Sequence, residues 1–166
     1  MTGVQTCALP ISLWLRIEVG EVPDAVVGDA RKLSQILLNL LGNAVKFTVH
    51  GGVALRVRWH DGRAEFEVED TGPGIGAEER APLFAPFVQT EAGRAAKEGA
   101  GLGLALSRDM ARLMDGDIVL ASEPGEGARF VFVARLPASP VPVVVNERGD
   151  RRRVQALAPG QVPPRI

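Results

Sequence analysis

Residues 13–19 (LWLRIEV) put Leu13, Leu15, Ile17 and Val19 on one side of an extended chain, a period of two that predicts a β-strand. A turn-rich connection with Pro23 comes next. From Asp29 the spacing changes to that of a helix, which runs to about Thr48 with Asp29 as its N-cap; the Gly51-Gly52 pair closes this stretch. Val53, Leu55, Val57 and Trp59 then alternate with polar positions. Asp61-Gly62 is a two-residue hairpin signal, and the return strand alternates Ala64, Phe66 and Val68 against Glu65, Glu67 and Glu69. A glycine-rich loop (DTGPGIG) leads into an irregular stretch to about Gly99. A second helix is predicted from about Leu102 to Met114, and strands are predicted at Ile118 to Ala121 and Arg129 to Leu136. This order predicts an α/β (α+β) two-layer sandwich, a mixed sheet with helices on one face.

Composition adds boundaries. The chain has 166 residues, 46% hydrophobic and 23% charged, with a net charge of -1. That balance offers no basic surface for nucleic acid, and no apolar run reaches the roughly 18 residues of a membrane span. The one cysteine, Cys7, lies in Met1 to Ile11 (MTGVQTCALPI). Back-translated with a GTG start, that string matches a common sequencing-adapter primer, so residues 1–11 are expected to be an assembly artefact outside the fold. Residues 12–137 are expected to form the domain. Residues 138–166, rich in proline and arginine, read as a linker or tail.

The first helix is apolar over most of its surface and is expected to be largely buried. Lys32, Gln35, Asn39, Asn43 and Lys46 interrupt it at steps of three and four, within an arc of roughly 80°. A solvent-facing stripe accounts for Lys32 and Gln35. It accounts less well for Asn39 and Asn43, because asparagine disfavours helix interiors. Amide oxygens can hold a hard cation such as magnesium, and a lysine can hold phosphate.

Counting by twos from Ala64 turns Asp70 toward the apolar face, where a carboxylate is costly unless it is hydrogen-bonded. Gly72, Gly74 and Gly76 come directly after it and let the backbone approach a ligand closely. The combination suits a carboxylate that accepts a hydrogen bond from the amino group of a base; the alternative is an aspartate capping a tight turn. The second glycine cluster, Gly99 to Leu104, runs into a helix, where free N–H groups suit phosphate. Residues 77–98 separate the clusters, a length that suggests a functional lid.

Taken in order, these segments resemble the histidine kinase branch of the gyrase, Hsp90, kinase and MutL ATPase superfamily, over about Asp29 to Leu136. DARKLSQILLNLLGNAVKFT resembles the asparagine box, DTGPGIG the first glycine box, LFAPFVQ the phenylalanine box, GAGLGLALS the second glycine box and GEGARFVF the closing one. The resemblance implies a Bergerat-type ATP-binding fold with ATP and Mg2+ as cofactors. It implies catalytic roles for Asn39, Asn43 and Lys46, with Asn43 on the metal and Lys46 on phosphate. It implies that Asp70, with Gly72, Gly74 and Gly76, takes adenine. Gly99, Gly101, Leu102, Gly103 and Leu104 would lie along the phosphates, and Phe84 and Phe87 would anchor the lid. Ala100 and Ala128 stand where the family often has a hydroxyl residue, a loss of about 0.5–1.5 kcal/mol each.

ATP-hydrolysing relatives carry a glutamate where this chain has Asn39, and an amide cannot be a general base. The resemblance therefore implies a histidine kinase whose phosphoacceptor lies on another domain, because His50 and His60 both read as surface residues. Its implied partners are a phosphoacceptor and dimerisation domain on the N-terminal side and a response-regulator receiver domain, in a homodimeric parent. Arg165-Ile166 would begin such a receiver domain, as in hybrid kinases. The catalytic domain is expected in the cytoplasm, whether or not the parent is anchored in the inner membrane. Two alternatives are a non-catalytic nucleotide-binding regulatory module and a serine kinase of the anti-sigma-factor type.

Overall fold

The computed structural model describes residues 3–8, 13–89, 93 and 101–140. Strands β1 (Gly3–Ala8), β2 (Leu13–Val19), β3 (Gly51–His60), β4 (Arg63–Asp70), β5 (Asp117–Ser122) and β6 (Ala128–Arg135) form one sheet in the order β1-β2-β3-β4-β6-β5. Only β2 and β3 run parallel. Helix α1 (Ala30–Phe47) connects these two, as a parallel pair requires. Helices α2 (Ala77–Arg80) and α3 (Gly103–Arg112) lie between β4 and β5 in the chain. Both α1 and α3 pack on the sheet and on each other, so the sandwich has the expected two layers.

Local chemistry explains the element ends. Asp29 caps α1, accepting from the N–H groups of Arg31 at 3.0 Å and Lys32 at 3.1 Å. Asp61 and Gly62 both have positive φ, 46° and 80°, the backbone of a tight hairpin turn. Alternation on β4 sends Ala64, Phe66 and Val68 to the helices, where they join Ile36, Leu40, Ile118, Phe130 and Phe132. Phe66 and Phe132 stack at 5.4 Å. The opposite face is charged: Arg56 bridges Glu18, Glu67 at 2.6 Å and Glu69, and this pairing raises the guanidinium's pKa. On α3, Arg108 grips both carboxylate oxygens of Asp117 at 2.7 and 2.9 Å, holding that carboxyl below its usual range.

Three features differ from expectation. Residues 3–8 pair with β2 as an edge strand. Edge pairing uses main-chain groups alone and is open to any segment lying alongside, so it carries no information on where those residues come from. Helix α1 is less buried than its composition predicts: Ile36, Leu40 and Ala44 are buried, while Leu38 is 68% exposed. One helix face meets the sheet and one flank meets α3; nothing among the described residues covers the rest. Finally, residues 137–139 stay attached to the domain, since Val27 N–H donates to Pro137 O and Ser139 N–H to Ala25 O, both at 2.8 Å. Residues 141–166, including Arg165-Ile166, lie outside the described residues.

Phe132 is fully buried and in ring contact with Phe66. Phe132→Ala is expected to cost about 3–5 kcal/mol of stability, read as a lower midpoint in urea unfolding.

Candidate functional site

One pocket opens where the C-terminal ends of α1 and β4 meet the start of β6, lined by Asn43, Phe47, Asp70, Ile75, Leu104 and Phe130 among others. Its walls are apolar except for two side chains, Asn43 and Asp70. Asp70 stands at the last position of β4, opposite Ala128 of β6, and faces the helices as the alternation predicts. It is 7% exposed. Its Oδ1 accepts from Gly72 N–H at 2.9 Å and from Ala128 N–H at 3.3 Å. The first bond is that of an aspartate capping a tight turn; the second is not, and ties the carboxylate to another strand. Oδ2 has no hydrogen-bond partner among the described residues. Burial pushes the Asp70 carboxyl above its ordinary range, partly countered by those two amides.

The loop after Asp70 is held against the β5–β6 turn. A Cβ on Gly74, whose φ is 73°, would lie 2.0 Å from the Glu123 carbonyl oxygen, so only glycine fits there. Gly125 N–H donates to Pro73 O at 2.7 Å. Gly76 is the N-cap position of α2. Sequence reasoning missed two residues here. Ser122 accepts from Ile75 N–H at 2.8 Å, and Arg80 donates to Ser122 O at 2.6 Å. Their partners are 47 and 42 residues away in the chain, beyond any periodic signal.

The polar seam on α1 divides among three surroundings. Asn43 lines the pocket. Asn39 is half-buried against α3, where Nδ2 donates to Ser107 Oγ at 2.9 Å. Its Oδ1 lies so near Gly103 that a Cβ there would be 2.6 Å away. Lys46 is exposed in the last turn of α1, its Nζ 5.2 Å from the Phe47 ring centre. The first turn of α3 has no side-chain cap, leaving N–H groups available to an anion. Leu104 lines the pocket, whereas Leu102 is 42% exposed at the helix start. Gly101 O accepts from Phe87 N–H at 3.1 Å, joining the second glycine cluster to the phenylalanine segment. Phe84 packs against the core under Arg108, whose guanidinium carbon is 4.7 Å from the ring centre. Phe87 is 75% exposed, and its bond to Gly101 is a backbone one. Gly99 and Ala100 lie outside the described residues. His50 and His60 are both exposed, as expected.

The family model described as histidine kinase-, DNA gyrase B- and HSP90-like ATPase matches residues 28–140, which contain this pocket entire. The chain belongs to this family. Within it, the relatives identify a two-component sensor histidine kinase ATP-binding catalytic domain. The aerobic respiration control sensor protein ArcB of Escherichia coli is 43% identical over 120 residues, 70% of this chain and 15% of that protein. Sensor histidine kinase RcsC of Salmonella typhimurium is 41% identical over 130 residues, 78% of this chain and 14% of that protein. Full-length ShkA, solved in complex with AMPPNP, superposes with a TM-score of 0.61 at 40% identity over 78% of this chain and 27% of that one. The mycobacterial sensor histidine kinase MprB superposes at 0.64 with 29% identity, covering 75% of this chain and 86% of that one. The chain thus spans about 15% of each of these two curated kinases. No helix among the described residues is long and apolar enough to cross a membrane.

The kinase domain's buried carboxylate has a consequence for pH. Asp70 keeps its proton to higher pH when folded than when unfolded. Its contribution to stability is therefore full below the unfolded-state pKa and is lost as pH rises through the folded one. An amide at this position can accept the same two N–H bonds without the charge. Without nucleotide, Asp70→Asn should unfold at higher urea than the wild type at pH 7, and the gap should close as pH falls below the usual carboxylate range. Equal midpoints at pH 7 would contradict this.

Proposed function

We propose that this domain binds ATP and supplies its γ-phosphoryl group to a histidine on a separate phosphoacceptor and dimerisation domain. The observation that carries the reading is Asp70: a buried carboxylate with one oxygen held by two main-chain amides and the other without a partner among the described residues. The second oxygen suits the amino group of adenine, and the apolar walls formed by Phe47, Ile75 and Phe130 suit the ring. ShkA, a relative at 40% identity, was solved in complex with AMPPNP, which supports ATP as the ligand.

The polyphosphate would run from Asp70 past Asn43 toward Lys46 and the uncapped start of α3 at Gly101, Gly103 and Leu104. Asn43 fits a magnesium site. Mg2+ needs few protein ligands, because phosphate oxygens and water supply the rest, and Asn43 presents an amide beside the pocket with no acidic cluster nearby among the described residues. Bound there, the ion would neutralise phosphate charge. Asn39 cannot activate water, and its amide is engaged with Ser107, so the domain orients ATP without hydrolysing it. Catalysis rests on positioning and charge neutralisation.

The proposal extends to the parent: a homodimer with this catalytic domain in the cytoplasm, handing phosphate on to a receiver domain. The receiver is supported by a curated relative named hybrid signal transduction histidine kinase B. Neither exposed histidine of this chain is an acceptor, so the domain alone does not autophosphorylate. A second reading, a regulatory module that binds nucleotide without transferring phosphate, has one observation in its favour. Ala128, beside Asp70, lacks the hydroxyl that the family often has.

Two measurements test the proposal. Asp70→Asn should weaken binding of a fluorescent ATP analogue at least tenfold, matching the roughly 1.5–3 kcal/mol of a hydrogen bond to a charged group; unchanged binding removes Asp70 from the site. Asn43→Ala should abolish magnesium-dependent phosphotransfer to an added histidine domain. If the wild type binds ATP but labels no such domain, the regulatory reading takes over.

A further inference from the structure

The peptide unit between Gly127 and Ala128 is held at both of its polar ends. Its N–H, on Ala128, donates to Asp70 Oδ1 at 3.3 Å. Its carbonyl, on Gly127, accepts from Ser122 Oγ at 2.6 Å in a buried contact. The same hydroxyl accepts from Ile75 N–H at 2.8 Å. An amide N–H can only donate and a carbonyl can only accept, so these partners fix the direction of the Ser122 proton: it points at Gly127. Ser122 is 8% exposed, and its own carbonyl is clasped by Arg80 at 2.6 Å. Position 127 has no room for a side chain, because a Cβ on Gly127 would lie 1.9 Å from the Asp70 carbonyl oxygen.

We propose that Ser122 is a positioning residue for base recognition, its hydroxyl orienting the 127–128 peptide and the Ile75 amide, and through them the carboxylate of Asp70. The proposal rests on the reading that Asp70 receives the amino group of adenine. Among the described residues, none lining the pocket carries a hydroxyl, and Ala128 leaves none where relatives often have one. With Asn43 assigned to the metal, discrimination between bases falls on Asp70, which lines the pocket, and on whatever holds its carboxylate in place. A carbonyl that accepts a hydrogen bond also strengthens the N–H at the other end of its peptide. Ser122 thus reaches the carboxylate without touching the ligand.

The test compares ATP with ITP, which keeps the triphosphate and ribose but has a 6-oxo group in place of the 6-amino group. Binding of both is measured at fixed Mg2+ on the 166-residue chain and on its Ser122→Ala, Ser122→Cys and Ser122→Thr variants, with thermal melts to establish folding. The wild type should prefer ATP. Ser122→Ala should lose about tenfold in ATP affinity, with ITP little changed, so that the preference collapses. Ser122→Thr should restore it, and Ser122→Cys, of similar size but a poor donor, should fall between. A folded Ser122→Ala or Ser122→Cys that weakens both nucleotides equally, or neither, overturns the proposal alone. A wild type that does not distinguish ATP from ITP overturns the reading of Asp70, and this proposal with it.

Discussion

A carboxylate at the inner edge of an apolar core governs the architecture around it. Taking Asp70 out of water is costly, and no cation lies near enough among the described residues to offset it. Main-chain N–H groups must do so instead, and they come from two directions. The turn after β4 supplies Gly72, and the neighbouring strand supplies Ala128. Each requirement propagates. The turn can close only if Gly74 nests against Glu123, and Ala128 is in place only if β6 holds its register with β4 from Arg63 to Asp70. Two amides do not fully repay the desolvation, and the carboxyl stays above its ordinary range. A group left in that state is suited to a ligand that brings one more donor.

Much of this was legible because it is written in short-range patterns. The period of two on β4 predicts the burial of Asp70 two positions beyond Val68, and Asp29 and Asp61-Gly62 signal their cap and turn through chemistry confined to three or four residues. Asn43 stood out because asparagine is a poor choice inside a helix. The illegible part depends on partners far apart in the chain. Ser122 ends a strand in a segment of no unusual composition, and its importance emerges only when Ile75 and Gly127 are brought against it. Arg80 reads as an ordinary charged residue of a lid until its guanidinium reaches the end of β5. The exposure of Leu38 has the same origin. Composition says that the helix is apolar over most of its surface, but only packing says which flank finds a neighbour. Phe87 lies in a segment that resembles a family box, yet it is exposed and meets Gly101 through its backbone N–H, which a side-chain motif does not describe.

The helix layer shows how the site uses its scaffold. Asn39 and Asn43 are one turn apart on α1 but serve different surfaces, one bonding to Ser107 of α3 and the other lining the pocket. The close approach of Gly103 to Asn39 seats the start of α3 beside that turn, so the uncapped amides and the polar seam converge. Arg108 then fixes the same helix to β5 through Asp117 and covers Phe84. One short helix thereby links the floor of the pocket, the phenylalanine segment and the sheet edge.

The pocket draws its lining from stretches as far apart as Asn43, Asp70, Leu104 and Phe130, none of which touches it through more than a few residues. A molecule seated among them acts as a non-covalent cross-link between parts of the chain that unfolding would separate. By mass action, a ligand at a hundred times its dissociation constant adds about 2.7 kcal/mol to folding stability. That is a large share of what an ordinary domain possesses. Occupancy and durability are then linked: the empty domain unfolds more readily than the filled one, and the ligand supply of its surroundings tunes that difference.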